Sequence, residues 1–163
     1  MKTTIKLLDE RYLELLYGIK NDVEVLKNIP GEYPLNHASF IKQHKEIIKT
    51  GPSTDLAAYT IFVDNEIAGI TGHFKREGKV DVEVGYFIGK DWWGKGVATS
   101  ALVLHLQELQ NLGFSGKVVA GHAVENIASG RVLQKAGFIR DGESEFILPD
   151  GTTVMDPHWM ILL

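Results

Sequence analysis

Residues Val80 to Ala98, VDVEVGYFIGKDWWGKGVA, constrain this chain more than any other stretch. An apolar run enters a glycine-rich turn, and the turn leads straight into a helix with no acidic residue in its first turns. Backbone N–H groups aimed by such a turn, and reinforced by the helix dipole, make an anion site. The segment therefore predicts strand, tight turn and helix in that order, with a phosphate-bearing ligand at the turn. The bland alternative is a strand-to-helix connection that uses glycine for turning and binds nothing.

The rest of the chain is built around that unit. Ile5 to Leu8 reads as a first strand, and Asp9 as the cap of a helix carrying Tyr12, Leu15, Leu16 and Ile19 on one face. Asn28 to Asn36, with Pro30, Gly31 and Pro34, reads as a loop. A second helix spans about Ser39 to Lys49, striped by Phe40, Ile41, His44, Ile47 and Ile48 and stopped by Gly51-Pro52. Three strands follow, Ala57–Val63, Ile67–Phe74 and Val80–Ile88, joined by turns at Asp64-Asn65-Glu66 and Arg76-Glu77-Gly78. The central helix runs from about Gly96 to Leu112, with Ala98, Leu102, Leu106 and Leu109 as its core stripe. A short strand, Lys117–Ala120, precedes a helix opened by Asn126 and closed by Gly137. The tail forms a hairpin, Ile139–Leu148 and Thr152–Leu163, with a bend expected at Pro157. Strands that meander first and alternate with helices later predict one mixed sheet with helices on both faces, an α+β fold.

Composition limits the function. At 163 residues the chain is expected to form a single domain, 1–163, with a substantial core. A net charge of -4 without a Lys/Arg cluster argues against nucleic acid as the main ligand. The absence of cysteine removes thiolate nucleophiles, disulfides and thiolate metal sites. Asp9, Glu10, Arg11 and Glu14 make the start unlike a signal peptide, and no apolar run reaches membrane-spanning length. A soluble, cytoplasmic protein without a membrane partner is expected, as monomer or homodimer. His37, His44, His105 and His158 have no spacing that points to a metal.

Three nucleotide-type readings compete for the glycines. A dinucleotide fingerprint beginning at Gly94-x-Gly96 would put its third glycine at Thr99, and no acidic residue closes a nearby strand. A P-loop reading of Gly89 to Lys95 fits by spacing, but Gly96 stands where Ser or Thr would hold magnesium. The third is a pyrophosphate turn, Trp93-Gly94-Lys95-Gly96-Val97-Ala98, in which Gly96 admits the anion and Ala98 lets the helix start pack close.

The segment EVGYFIGKDWWGKGVATSAL, followed by ENIASGRVLQKAGF, resembles the GNAT superfamily of acetyl-CoA-dependent N-acetyltransferases, and within it the RimJ/RimL-type branch that modifies ribosomal-protein N-termini. Many relatives carry Gln or Arg where Trp93 stands. The resemblance implies a GNAT-like fold, a mostly antiparallel sheet of about seven strands, and acetyl-CoA as acyl donor. It implies that the strands ending near Ile88 and Ala120 splay apart, with backbone groups of Phe87 and Ile88 pairing the pantetheine arm. N–H groups of Lys95, Gly96, Val97, Ala98 and Thr99, with Trp93 and Gly94 in the same turn, would hold the pyrophosphate. A strand N–H near Tyr86 or Phe87 would polarise the thioester carbonyl.

Asn126 reads equally as a plain helix cap and as a pantetheine contact implied by the family. Gly130 costs roughly 1 kcal/mol relative to alanine inside a helix, so something should pack closely there. Many relatives have a Tyr at the position of Leu133 to protonate the departing thiolate; the resemblance assigns that role here to Ser129. It offers Glu83 as general base and, less directly, Glu145; the plain reading of Glu83 is a solvent-facing residue alternating with Val82 and Val84. Asp156 and Glu143 would attract a cationic acceptor, or are simply solvated. His73 and His122 are expected at strand ends near the acceptor entrance, and Trp92 and Trp93 to pack the turn or cover the cofactor. The expected acceptor is a primary amine, either a protein N-terminus or a small amine such as a polyamine or aminoglycoside-like compound. Deprotonation at pH 7 costs roughly 1 kcal/mol for an α-amine and roughly 4.6 kcal/mol for a lysine-like amine. The rival class is an acyl-CoA-binding module without turnover.

Overall fold

Alternation of apolar residues along the strands and a 3.6-residue stripe along the helices dictate a sheet covered on both faces. The computed structural model describes residues 1–29 and 35–163. Pro30, Gly31 and Pro34 of the expected loop lie outside the described residues. The elements run β1 (Thr3–Leu7), a 3-10 turn (Glu10–Tyr12), α1 (Leu13–Lys20), α2 (Val23–Leu26), α3 (His37–Thr50), β2 (Leu56–Val63) and β3 (Glu66–Lys75). They continue with β4 (Val82–Ile88), a 3-10 turn (Lys90–Trp92), α4 (Val97–Asn111), β5 (Lys117–Gly121), α5 (Ile127–Lys135), β6 (Ile139–Ile147) and β7 (Thr153–Leu162).

The seven strands form one sheet in the order β1-β2-β3-β4-β5-β7-β6, antiparallel except where β4 meets β5. One face packs α4 and α5 over Val82, Val84, Val118 and Ala120, with Leu102, Leu109 and Leu133 filling the space. The other face packs α1 and α3 over Ala58, Ile70 and Phe87. This is the mixed, mostly antiparallel α+β architecture that the sequence predicts.

Several local expectations change. Asp9 caps the 3-10 turn rather than α1, accepting from the Arg11 N–H. The extra turn rotates the helix, so Leu13 and Leu16 are buried and Leu15 is 52% exposed. The four-residue α2 is too short for a periodicity to register. β4 begins at Val82; Val80, 89% exposed, belongs to the turn. Pro157 does not break β7. It stays in register with Glu143, and the irregularity falls on β6 between Arg140 and Glu143. Gly69 serves close approach: a Cβ there would run into the Phe87 carbonyl.

Candidate active site

β4 and β5 pair only through Val82 with Val118 and Glu83 with Val119. Beyond that point they diverge, although β4 continues to Ile88. The register with β3 and the Gly89 N–H bond to the Ala68 carbonyl assign odd-numbered β4 residues to β3 bonding. Tyr86 and Ile88 therefore turn their main-chain groups toward the open wedge. Phe87, expected there, directs its N–H and carbonyl to β3 instead, so alternation moves that role to Tyr86. The Ile88 carbonyl already accepts from the Trp93 indole Nε1 at 2.8 Å.

The wedge opens into a cleft of about 780 Å³, lined by β4, the end of β5, the glycine turn and the first turns of α5. At one end Gly94 (φ 72°) and Gly96 (φ 77°) are both left-handed, a conformation that disfavours any side chain. The first α4 bond joins the Ser100 N–H to the Gly96 carbonyl. The N–H groups of Val97, Ala98 and Thr99 therefore precede the ladder, and no acidic residue sits in that turn. Lys95 turns its ammonium away, donating to the Asp91 carbonyl at 2.7 Å and lying over the Trp92 ring. A turn of left-handed glycines, opening into a cleft where β4 runs on past its pairing with β5, fits a diphosphate joined to an extended amide-bearing arm.

Phe87, Ile88, Trp93, Gly94, Gly96, Val97, Ala98, Thr99, Asn126 and Ser129 all line this cleft. Asn126 caps α5 by accepting from the Ser129 N–H at 3.2 Å, so its capping reading holds at a cleft position. Gly130 is explained by protein packing: a Cβ there would stand 3.0 Å from His122 Nε2 and 3.4 Å from Trp159. His122 donates from Nδ1 to the Ala123 carbonyl and accepts the Trp159 indole N–H at Nε2. His73 is not at an entrance. It is buried in β3 against His105, so its expected place near the acceptor is corrected.

Glu83 and Glu145 are not among the cleft-lining residues. Register puts Glu83, Val119, Met160 and His158 on one face of the sheet, while Glu145 pairs with Met155 on the other. The two carboxylates therefore do not share one proton. Burial raises the Glu83 carboxyl above its ordinary range, opposed by Arg76, whose Nε lies 3.8 Å away, and by His158. Sequence reasoning missed the Tyr86 hydroxyl, which meets Ser129 Oγ at 2.8 Å. It also missed Arg131 and Lys135, one helical turn apart, which bring two cations to the cleft. Their i, i+4 spacing on α5 was the available signal. Among the described residues there is no group of His, Asp and Glu suited to a metal, and no helix long and apolar enough to cross a membrane.

The splayed strands, the glycine turn and the capped α5 define the class. A model of the acetyltransferase (GNAT) domain matches residues 3–139, and the chain belongs to this family. The ribosomal protein uS5 alanine N-acetyltransferase of Escherichia coli is 30% identical over 84 residues, 47% of this chain and 43% of the relative. The match thus spans less than half the length of that curated relative. RimL, a ribosomal L7/L12 alpha-N-protein acetyltransferase solved with coenzyme A, has a TM-score of 0.85 at 19% identity, covering 100% of this chain and 95% of that one. AAC(6')-Ib, solved with ribostamycin and coenzyme A, has a TM-score of 0.80 at 19% identity, covering 99% of this chain and 94% of that one. Family and fold are those the sequence motifs imply.

Proposed function

We propose that this chain is an acetyl-CoA-dependent N-acetyltransferase of the RimJ/RimL type, which passes acetyl to a protein N-terminal amine by direct attack in a ternary complex. The observation that carries the reading is the wedge between β4 and β5, closed at one end by the left-handed Gly94–Gly96 turn. Family membership and the named relatives support the same activity.

When bound, the thioester supplies an activated acetyl group. Amides from Gly94 to Thr99 hold its diphosphate, helped by the charges of Arg131 and Lys135. The main-chain groups of Tyr86 and Ile88 orient its arm as an added strand would, and the Tyr86 N–H polarises the carbonyl. Glu83 receives the amine proton through water from one face of the sheet. Ser129, on the side of α5, donates a hydrogen bond to the sulfur; Glu145, on the opposite face from Glu83, is the second choice of base. Glu83 lies off the cleft wall, so the help it gives is modest. That suits an α-amine, which costs roughly 1 kcal/mol to deprotonate, better than a lysine-like amine at roughly 4.6 kcal/mol.

The test is free-thiol release from acetyl-CoA with a panel of acceptors: a peptide with a free N-terminus, the same peptide blocked but carrying lysine, a polyamine and an aminoglycoside. We expect the free N-terminus to give the highest kcat/KM. Preference for the polyamine or aminoglycoside would move the acceptor to the small-amine class. Tight acetyl-CoA binding without turnover on any acceptor would make the chain a binding module.

A further inference from the structure

Tyr86 and Ser129 join β4 to the first turn of α5 across the open wedge, and both line the cleft. Their hydroxyl oxygens stand 2.8 Å apart. Burial pushes the Tyr86 phenol up to about 12, so it keeps its proton throughout the working range. A phenol is the better donor and the poorer acceptor of the two hydroxyls, which sets the direction from Tyr86 to Ser129 Oγ. The other acceptor in reach, the Ser129 carbonyl at 3.4 Å, is beyond the ordinary O–H···O range. The Ser129 backbone is fixed as well, because its N–H is bound by the Asn126 side chain. With one lone pair occupied by Tyr86, the serine proton is not spent on the tyrosine, its residue lines the cleft, and a hydroxyl that accepts one hydrogen bond donates a stronger one.

We propose that Tyr86 is a positioning residue, donating to Ser129 Oγ and thereby orienting the serine hydroxyl as donor to the sulfur of the thioester. The inference rests on the role proposed above for Ser129. As the nitrogen–carbon bond forms and the carbon–sulfur bond breaks, the electron pair of the latter passes to sulfur. The Ser129 O–H holds that charge by a hydrogen bond, and the sulfur takes its proton from solvent after release. The amine proton leaves through water to Glu83. Tyr86 gives up no proton, since its phenol is a far weaker acid than a thiol near about 8.5.

The test uses the full chain with Tyr86→Phe, Ser129→Ala and both together, measuring kcat, coenzyme A affinity and the pH titration of the bound coenzyme A thiol by thiolate absorbance. The last readout needs no turnover and is unmoved by a merely structural tyrosine. We expect the thiol of bound coenzyme A to titrate below its free value. Tyr86→Phe should lower kcat about tenfold and Ser129→Ala about a hundredfold, with the double variant no worse than Ser129→Ala. Both single variants should raise the bound thiol titration and leave affinity for coenzyme A within about threefold. If Tyr86→Phe keeps wild-type kcat and titration while Ser129→Ala loses both, the positioning role is overturned and the serine role stands. Fully additive losses in the double variant overturn it too. Wild-type behaviour of Ser129→Ala removes the serine reading itself.

Discussion

Burial raises the Glu83 carboxyl even though the Arg76 guanidinium, 3.8 Å away, pulls it down, so the carboxylate is costly to the fold at neutral pH. A raised carboxyl contributes its stability fully below the ordinary 4.5, and loses it as pH rises through the folded value. Glu83→Gln should therefore melt at a higher temperature than wild type at pH 7, with the gain shrinking as pH falls from the raised folded value toward 4.5 and absent below it. In its proposed role the same change lowers turnover about sixfold, the equivalent of the roughly 1 kcal/mol that an α-amine costs to deprotonate, with acetyl-CoA affinity unchanged. A lower melting temperature at pH 7 would refute the burial argument, and wild-type turnover would remove Glu83 from the mechanism. At this scale the sequence was legible where one residue violates its local rule. Gly130 inside a helix announced close packing, and Gly94 and Gly96 announced a tight turn that admits an anion. The Tyr86–Ser129 pair was not legible, because residues 43 positions apart meet only through the tertiary path of β4 and α5.

Helix α4 is tied to the sheet by more than its apolar stripe. His105, fully buried, accepts from the Thr71 hydroxyl at Nδ1, 2.7 Å away, and donates from Nε2 to His73 Nδ1 at 2.8 Å. His73 Nε2–H in turn donates to the Ser53 carbonyl at 2.9 Å, which fixes the whole chain of tautomers. Burial holds both imidazoles below their ordinary 6.5, His105 down to about 3. The unfolded chain therefore takes up these protons first. The stabilisation is full above about 6.5 and is lost progressively as pH falls toward the folded values. His105→Gln can keep both hydrogen bonds without titrating. Its melting temperature should fall less steeply than wild type between pH 6.5 and pH 4.5, as calorimetry would report; equal slopes would rule out this pair as the source. The α4 stripe Leu102, Leu106 and Leu109 was readable from its spacing, and Ala98 lies partly buried at its start. His105 was not, since a core histidine declares itself only through its partners. Leu15 misled because the 3-10 turn before α1 shifts the helical phase.

Across the whole molecule, the order of the strands and the longer helices was legible because each carries its own period and its own stop signals. The divergence of β4 and β5 was not, since nothing in either strand records where its neighbour leaves it; the family motifs supplied that expectation. The divergence turns a continuous sheet into a binding cleft, bringing the glycine turn, the end of β4 beyond its pairing with β5 and the capped end of α5 to one opening. Ligand binding depends on the main-chain amides at this opening. Backbone amide shifts of isotope-labelled protein, followed by NMR during an acetyl-CoA titration, test it most directly. The largest shifts should fall on Gly94 to Thr99, with Tyr86 and Ile88 next; saturable binding that leaves the amides of Gly94 to Thr99 unmoved would place the diphosphate elsewhere.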